Sequence, residues 1–192
     1  PTRIPSELDG QEFSPRSVWL STVEAAIDRE VDAVVVTGDV VDRENRYFEA
    51  FGAFENGVTK LAEADIPLVA VGGNHDHDVL PSMVSDLDRE SLHLLGEGGE
   101  WERWTLESDG EQLLHLDGWS FPSEEVLESP IDDYELEEDS PVPTTGLLHV
   151  DVDAPGSRYA PVGLSELRGT PIDGWLLGHI HSPEILVDAN PF

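Results

Sequence analysis

Ala33-Val34-Val35-Val36-Thr37-Gly38-Asp39-Val40-Val41-Asp42 is an apolar run that ends in a glycine and two carboxylates. A short apolar run rich in β-branched residues and stopped by a turn signal reads as a buried strand. The pattern recurs downstream, where Pro67-Leu68-Val69-Ala70-Val71 runs into Gly72-Gly73-Asn74-His75-Asp76. Between and before these strands the spacing is helical. Ser14-Pro15 is a helix start, and Leu20, Val23 and Ile27 share one face of a helix reaching about Glu30. Tyr47, Phe51, Phe54, Val58 and Leu61 recur in steps of four and three, which predicts a second helix over 44–64 with an aromatic core face. Helix, strand, helix, strand at this spacing predicts a parallel sheet with crossover helices.

Farther along, segments near 91–95, 101–106 and 112–119 are short and apolar or alternating, and they predict strands meeting in antiparallel fashion. Gly146 to Val150 and Gly174 to Leu177 read as strands and 162–168 as a short helix, while Glu184 to Val187 reads as the start of one more strand. A chain of 192 residues with 39% hydrophobic content suits one domain, taken here as 1–192. No apolar run is long enough for a membrane span or a signal peptide, so a cytoplasmic location without membrane association is expected. Met83 is the only methionine, which leads us to expect further sequence upstream of Pro1.

Metal-competent residues follow directly after four of the strands: Gly38-Asp39-Val40-Val41-Asp42, Gly73-Asn74-His75-Asp76, Leu148-His149 and Gly178-His179-Ile180-His181. In an open α/β sheet such positions gather at one edge, because ligands bind at the carboxyl ends of strands. With no cysteine in the chain, disulfides and thiolate sites are excluded, and any metal is held by nitrogen and oxygen. That donor set suits Mn, Fe, Zn or Co.

In order and spacing these motifs resemble the calcineurin-like metallophosphoesterase superfamily. The resemblance implies an α/β fold, a sandwich of two mixed β-sheets flanked by helices, with the family's first strand and its Asp-x-His motif lying upstream of this chain. It also implies two divalent ions, Mn the expected pair. Asp39 would bridge them, Asn74, His149 and His179 would complete one site, and His181 would belong to the other. His75 would be the catalytic imidazole and Asp42 the carboxylate orienting it. Arg43, next to Asp42, is a candidate phosphate clamp, weighed against an ordinary surface arginine. Tyr159-Ala160-Pro161, the short helix after it and the strand into Gly178-His179-Ile180-His181 are similar to the SbcD-like DNA repair exonucleases. That likeness implies DNA as substrate and an SbcC-like ATPase as partner, and leaves the oligomeric state open.

The charge pulls the other way. Forty-one acids face ten bases, for a net charge of −31. DNA binding normally draws on Lys and Arg to neutralise phosphates. A small-molecule phosphodiesterase or phosphomonoesterase would suit an acidic surface better, and a scaffold subunit that keeps the fold without catalysis is a third reading. Acids spread along the whole chain suggest a halophilic source, where concentrated salt screens their repulsion. They are densest in the Pro-containing segment 122–144, expected to be a solvated surface loop. His93 and His115 lie in apolar segments and are expected to be structural. The tryptophans are expected in the core, with Trp119 an alternative groove residue.

Overall fold

The computed structural model describes residues 14–41, 47–135, 141–182 and 184–186, with 47–49 described by their backbone alone. Helix α1, Pro15–Asp28, is capped by Ser14, whose side chain accepts from Ser17 N at 3.1 Å. Its core stripe is Trp19, Val23, Ala26 and Ile27, so Trp19 replaces the expected Leu20 as the first residue of the inward face. Strand β1, Val34–Thr37, is followed by helix α2, Tyr47–Glu63, and strand β2, Leu68–Val71. A helix not foreseen from the sequence, α3 at Leu80–Leu87, leads into β3, Leu92–Leu95. These strands form a three-stranded sheet, β1-β2-β3, parallel throughout.

That parallel pairing corrects the expectation for 91–95. Among the described residues only β4, Glu102–Ser108, and β5, Glu111–Gly118, pair antiparallel, across a turn in which Asp109 and Gly110 both have positive φ, 53° and 81°. Segment 91–95 instead follows a helix that crosses over from β2, and a crossover helix returns the chain in the parallel direction. Strand β6, Thr144–His149, lies parallel between β5 and β9, Gly174–Gly178, which makes the second sheet a mixed β4-β5-β6-β9 array. Two short parallel strands, β7 at Asp151–Val152 and β8 at Pro161–Val162, lead to the one-turn helix α4, Leu164–Leu167. Residues 184–186 are not in a strand, and Val187 lies outside the described residues.

Strand alternation assigns the layers. In β2, Leu68 joins the helix-side core with Val23, Phe54, Val58 and Leu61, while Val69 and Val71 face Leu116 and Leu147 of the second sheet. In β6, Leu147 faces the first sheet and Leu148 joins the outer core with Phe121, Val150 and Leu167. The architecture is therefore helices, sheet, sheet, then the α4 side, a sheet-on-sheet sandwich. His149 shares the face of Leu147, two residues earlier, and so points toward the end of β1.

The described part of the acidic segment packs against the second sheet. Pro130 is buried, Trp101 Nε1 donates to its carbonyl at 2.9 Å, and Val126 bridges Tyr159. Tyr134 donates to Asp117 Oδ2 at 2.7 Å, and Arg103 grips the same buried carboxylate with Nε and Nη2, each at 2.7 Å. Burial and the Asp117 carboxylate push the Tyr134 hydroxyl far above its ordinary pKa. Trp119 is buried with its Nε1 donating to Gly99 O at 2.8 Å, a core residue rather than a groove residue.

Candidate metal centre

Three of the turns that follow strand ends here are shaped by a glycine that has no room for a side chain, at Gly38, Gly73 and Gly178. At Gly38, φ is 87° and a Cβ would stand 2.4 Å from His149 Nδ1; at Gly178 it would stand 1.9 Å from Thr37 O. The residues that follow them, Asp39 and His179, also sit at positive φ, 54° and 91°. Such backbone is uncommon for residues with a Cβ and gathers at functional sites, where the surrounding fold enforces it.

The enforcing group at the first turn is Asp76, which is fully buried. Its carboxylate accepts from Val40 N at 2.6 Å, Val41 N at 3.4 Å and Gly73 N at 2.7 Å, tying the turn after β1 to the turn after β2. Burial raises its pKa, and the nearby Asp39 charge adds to that against the three amide donors. His75 N in turn donates to Asp39 Oδ1 at 3.1 Å.

His149 is the hub. Its Nδ1 lies 2.9 Å from the Thr37 carbonyl, which can only accept, so Nδ1 carries the proton and Nε2 the lone pair. Around that lone pair stand Asp39 Oδ2 at 3.1 Å, Asn74 Oδ1 at 3.2 Å and His179 Nδ1 at 3.2 Å. The ligand atoms of Asp39, His149 and His179 all lie within 4.8 Å of one another. A carboxylate oxygen, an amide oxygen and two imidazole nitrogens converging on one point form a nitrogen and oxygen donor set that fits a divalent metal. The protein groups show the same bias. Burial works against charge on both members of the Asp39–His149 pair, yet their mutual attraction holds Asp39 below the usual carboxylate range and His149 above the usual imidazole range. Burial, then the His149 charge, pushes His179 down.

Of the residues expected from the sequence, the structure brings together Asp39, Asn74, His149 and His179. His75 and His181 are exposed beside them, and the His181 charge contributes to the lowered pKa of His179. Asp42 and Arg43 lie outside the described residues. His93 stacks at 5.2 Å on Trp104, and His115 bonds Thr105 Oγ1 at 2.8 Å, both away from the cluster. Sequence reasoning missed two residues. Asp76 was visible as the last member of Gly73-Asn74-His75-Asp76 but had no assigned role. Asp151, two residues beyond His149, lies 3.3 Å from His179 Nε2 through its Oδ1.

A family model for calcineurin-like phosphoesterases matches residues 15–183. The chain is 26% identical over 172 residues to the uncharacterized metallophosphoesterase YhaO of Bacillus subtilis, a match covering 88% of this chain and 41% of that protein. It is 34% identical over 71 residues to the DNA double-strand break repair protein Mre11 of Methanosarcina acetivorans, covering 37% of this chain and 11% of that protein. The chain thus spans less than half the length of these relatives. The chain belongs to the calcineurin-like phosphoesterase family, whose members use divalent metal ions to hydrolyse phosphoesters.

Proposed function

We propose that the protein is a phosphodiesterase acting on DNA ends with two divalent ions, Mn the first candidate. The observation that carries the reading is the convergence of Asp39, Asn74 and His179 on the lone pair of His149. The 71-residue similarity to a DNA double-strand break repair protein supports the choice of polymer. Bound divalent ions supply the charge neutralisation and water activation that phosphate-ester hydrolysis needs at neutral pH. In this reading Asp39, Asn74, His149 and His179 would hold one ion, and Asp39 and His181 would serve the other. Asp76 holds the Asp39 and Asn74 turns in register. His75, exposed beside Asp39, delivers a proton to the leaving oxygen, with Asp42 orienting it and Arg43 contacting phosphate.

The net charge of −31 favours a second reading, hydrolysis of small phosphodiesters or monoesters, for which no basic groove is needed. It also supports a halophilic source. The test offers the native protein labelled DNA ends and small phosphodiesters with Mn in KCl near 1 M, where counterion effects on DNA binding are already weak. Release of nucleotides from DNA is the expected result. Hydrolysis of the small esters alone would replace the polymer reading with the second one. Failure on both, with Mn bound, would leave a scaffold. His75→Asn is expected to slow turnover by roughly 10²- to 10⁴-fold with metal content intact, and loss of metal in that variant would contradict the proton-donor role.

A further inference from the structure

The stretch Tyr159-Ala160-Pro161, whose likeness to a nuclease branch was drawn from the sequence, is folded with its tyrosine against His179. The Tyr159 ring lies 5.2 Å from the His179 ring at an interplanar angle of 44°. Tyr159 is tied in twice by its backbone, its N donating to Ser157 Oγ at 3.1 Å and its O accepting from Asp151 N at 3.1 Å. Ser157 Oγ in turn donates to Asp151 Oδ2. The other oxygen of that carboxylate, Oδ1, faces His179 Nε2 at 3.3 Å. Asp151, Ser157 and Tyr159 are all half-buried, and the loop joining them to β8 holds Asp153 and Ala160 at positive φ, 50° and 48°.

The geometry points to Asp151 as the positioning residue for His179: its carboxylate favours the tautomer in which Nε2–H donates to Oδ1, and so leaves Nδ1 as the lone pair presented to the ligand cluster, while Ser157 holds the carboxylate and Tyr159 the ring. The inference rests on the metal reading above. An imidazole with two nitrogens can present the wrong one by changing tautomer or by turning about its last side-chain bond. His149 avoids this through the Thr37 carbonyl, and for His179 the described group facing Nε2 is a carboxylate. An anionic acceptor does more than a carbonyl, since it also makes the ligating nitrogen more basic. The His179 backbone, at φ 91°, does not by itself select a ring orientation.

The test titrates Mn into the 192-residue chain in concentrated KCl by calorimetry and follows the His179 ring nitrogens by NMR, with unfolding measured in parallel. Asp151→Ala is expected to weaken Mn binding by roughly 10- to 100-fold, the range for losing such a partner, and to abolish the hydrogen-bonded Nε2–H signal. Asp151→Asn keeps an acceptor oxygen and is expected to restore most of the affinity. Ser157→Ala, which leaves Asp151 in place but unheld, is expected to fall between. Should Asp151→Ala fail to fold, the Asn and Ser157→Ala variants carry the comparison. Wild-type affinity in Asp151→Ala, or a wild-type ring signal without the Nε2 proton, would overturn the inference. A wild-type chain that takes up no Mn while showing the Nε2–H signal would instead overturn the metal reading and leave the Asp151 contact standing.

Discussion

Gly73 illustrates how the site depends on single residues. A Cβ at this position would stand 2.3 Å from Asp39 Oδ1, yet the φ of Gly73 is outside the left-handed region, so alanine fits the backbone and only the site is crowded. Gly73→Ala is therefore expected to displace Asp39, weakening Mn binding in calorimetry and costing the roughly 1–3 kcal/mol typical of overpacking. Unchanged Mn affinity would show that Asp39 moves aside freely. His93 and His115 act on stability rather than chemistry. Burial lowers the pKa of both. The unfolded chain then binds more protons than the folded one just below the ordinary imidazole pKa of about 6.5, so stability is full above that value and falls as the pH drops through the window beneath it. Denaturant unfolding between pH 7.5 and 5.5 should show that fall, and it should be shallower in the doubly substituted His93→Gln, His115→Gln chain. Both histidines were legible as structural from their apolar neighbours. Asp76 and Asp151 were not, because a lone carboxylate near a motif looks like any surface acid until its amide or imidazole partner is known.

The pairing of α1 with α2 turns on one of two glycines that look alike in the sequence. Gly57 admits the Trp19 ring: a Cβ there would meet Trp19 Nε1 at 2.3 Å, and that nitrogen donates to Ala53 O at 3.0 Å. Gly52, in the same helix, has nothing within 4 Å. Gly52→Ala is expected to raise stability by about 0.5–1 kcal/mol, the ordinary cost of a mid-helix glycine. Gly57→Ala is expected to lower it by about 1–3 kcal/mol through overpacking. Equal shifts in the unfolding midpoint would refute this account of the helix contact. Helix and strand types at this level followed from periodicity, and the strands after 33 and 67 stand where the apolar runs place them. Direction did not follow for 91–95. Alternation and chain reversal signals say that a strand exists, whereas its polarity is set by the crossover through α3, a helix of only eight residues with a short apolar pattern.

At the level of the whole molecule, the surplus of acids dominates. Ion pairs such as Lys60–Glu24 at 3.0 Å involve few of the 41 acids, because there are only ten bases to meet them. At an ionic strength of about 10 mM the Debye length is about 30 Å, comparable to a small domain, and repulsion acts across the entire fold; at 1 M it is about 3 Å. The thermal midpoint is accordingly expected to rise steeply with KCl. A cooperative transition at the same temperature in about 10 mM and about 1 M salt would contradict the repulsion argument.

Sequence by itself determined most of the buried strands and the core helices α1 and α2, though not α3, and which residue types stand at the strand ends, because these are local properties of spacing and of side-chain chemistry. It also determined that any metal must be held by nitrogen and oxygen. Only the tertiary structure decided that Asp39, Asn74, His149 and His179 share one point, that Asp76 ties two turns together by three hydrogen bonds from backbone amides, and that Asp151 and Tyr159 lie against His179. It likewise decided that part of the acidic segment is anchored through Pro130 and Tyr134. Most of these contacts join residues distant in the chain, as with the 36 positions between Val40 and Asp76 or the 112 between Thr37 and His149, and a sidedness set by two packed sheets cannot be read from neighbours in the chain.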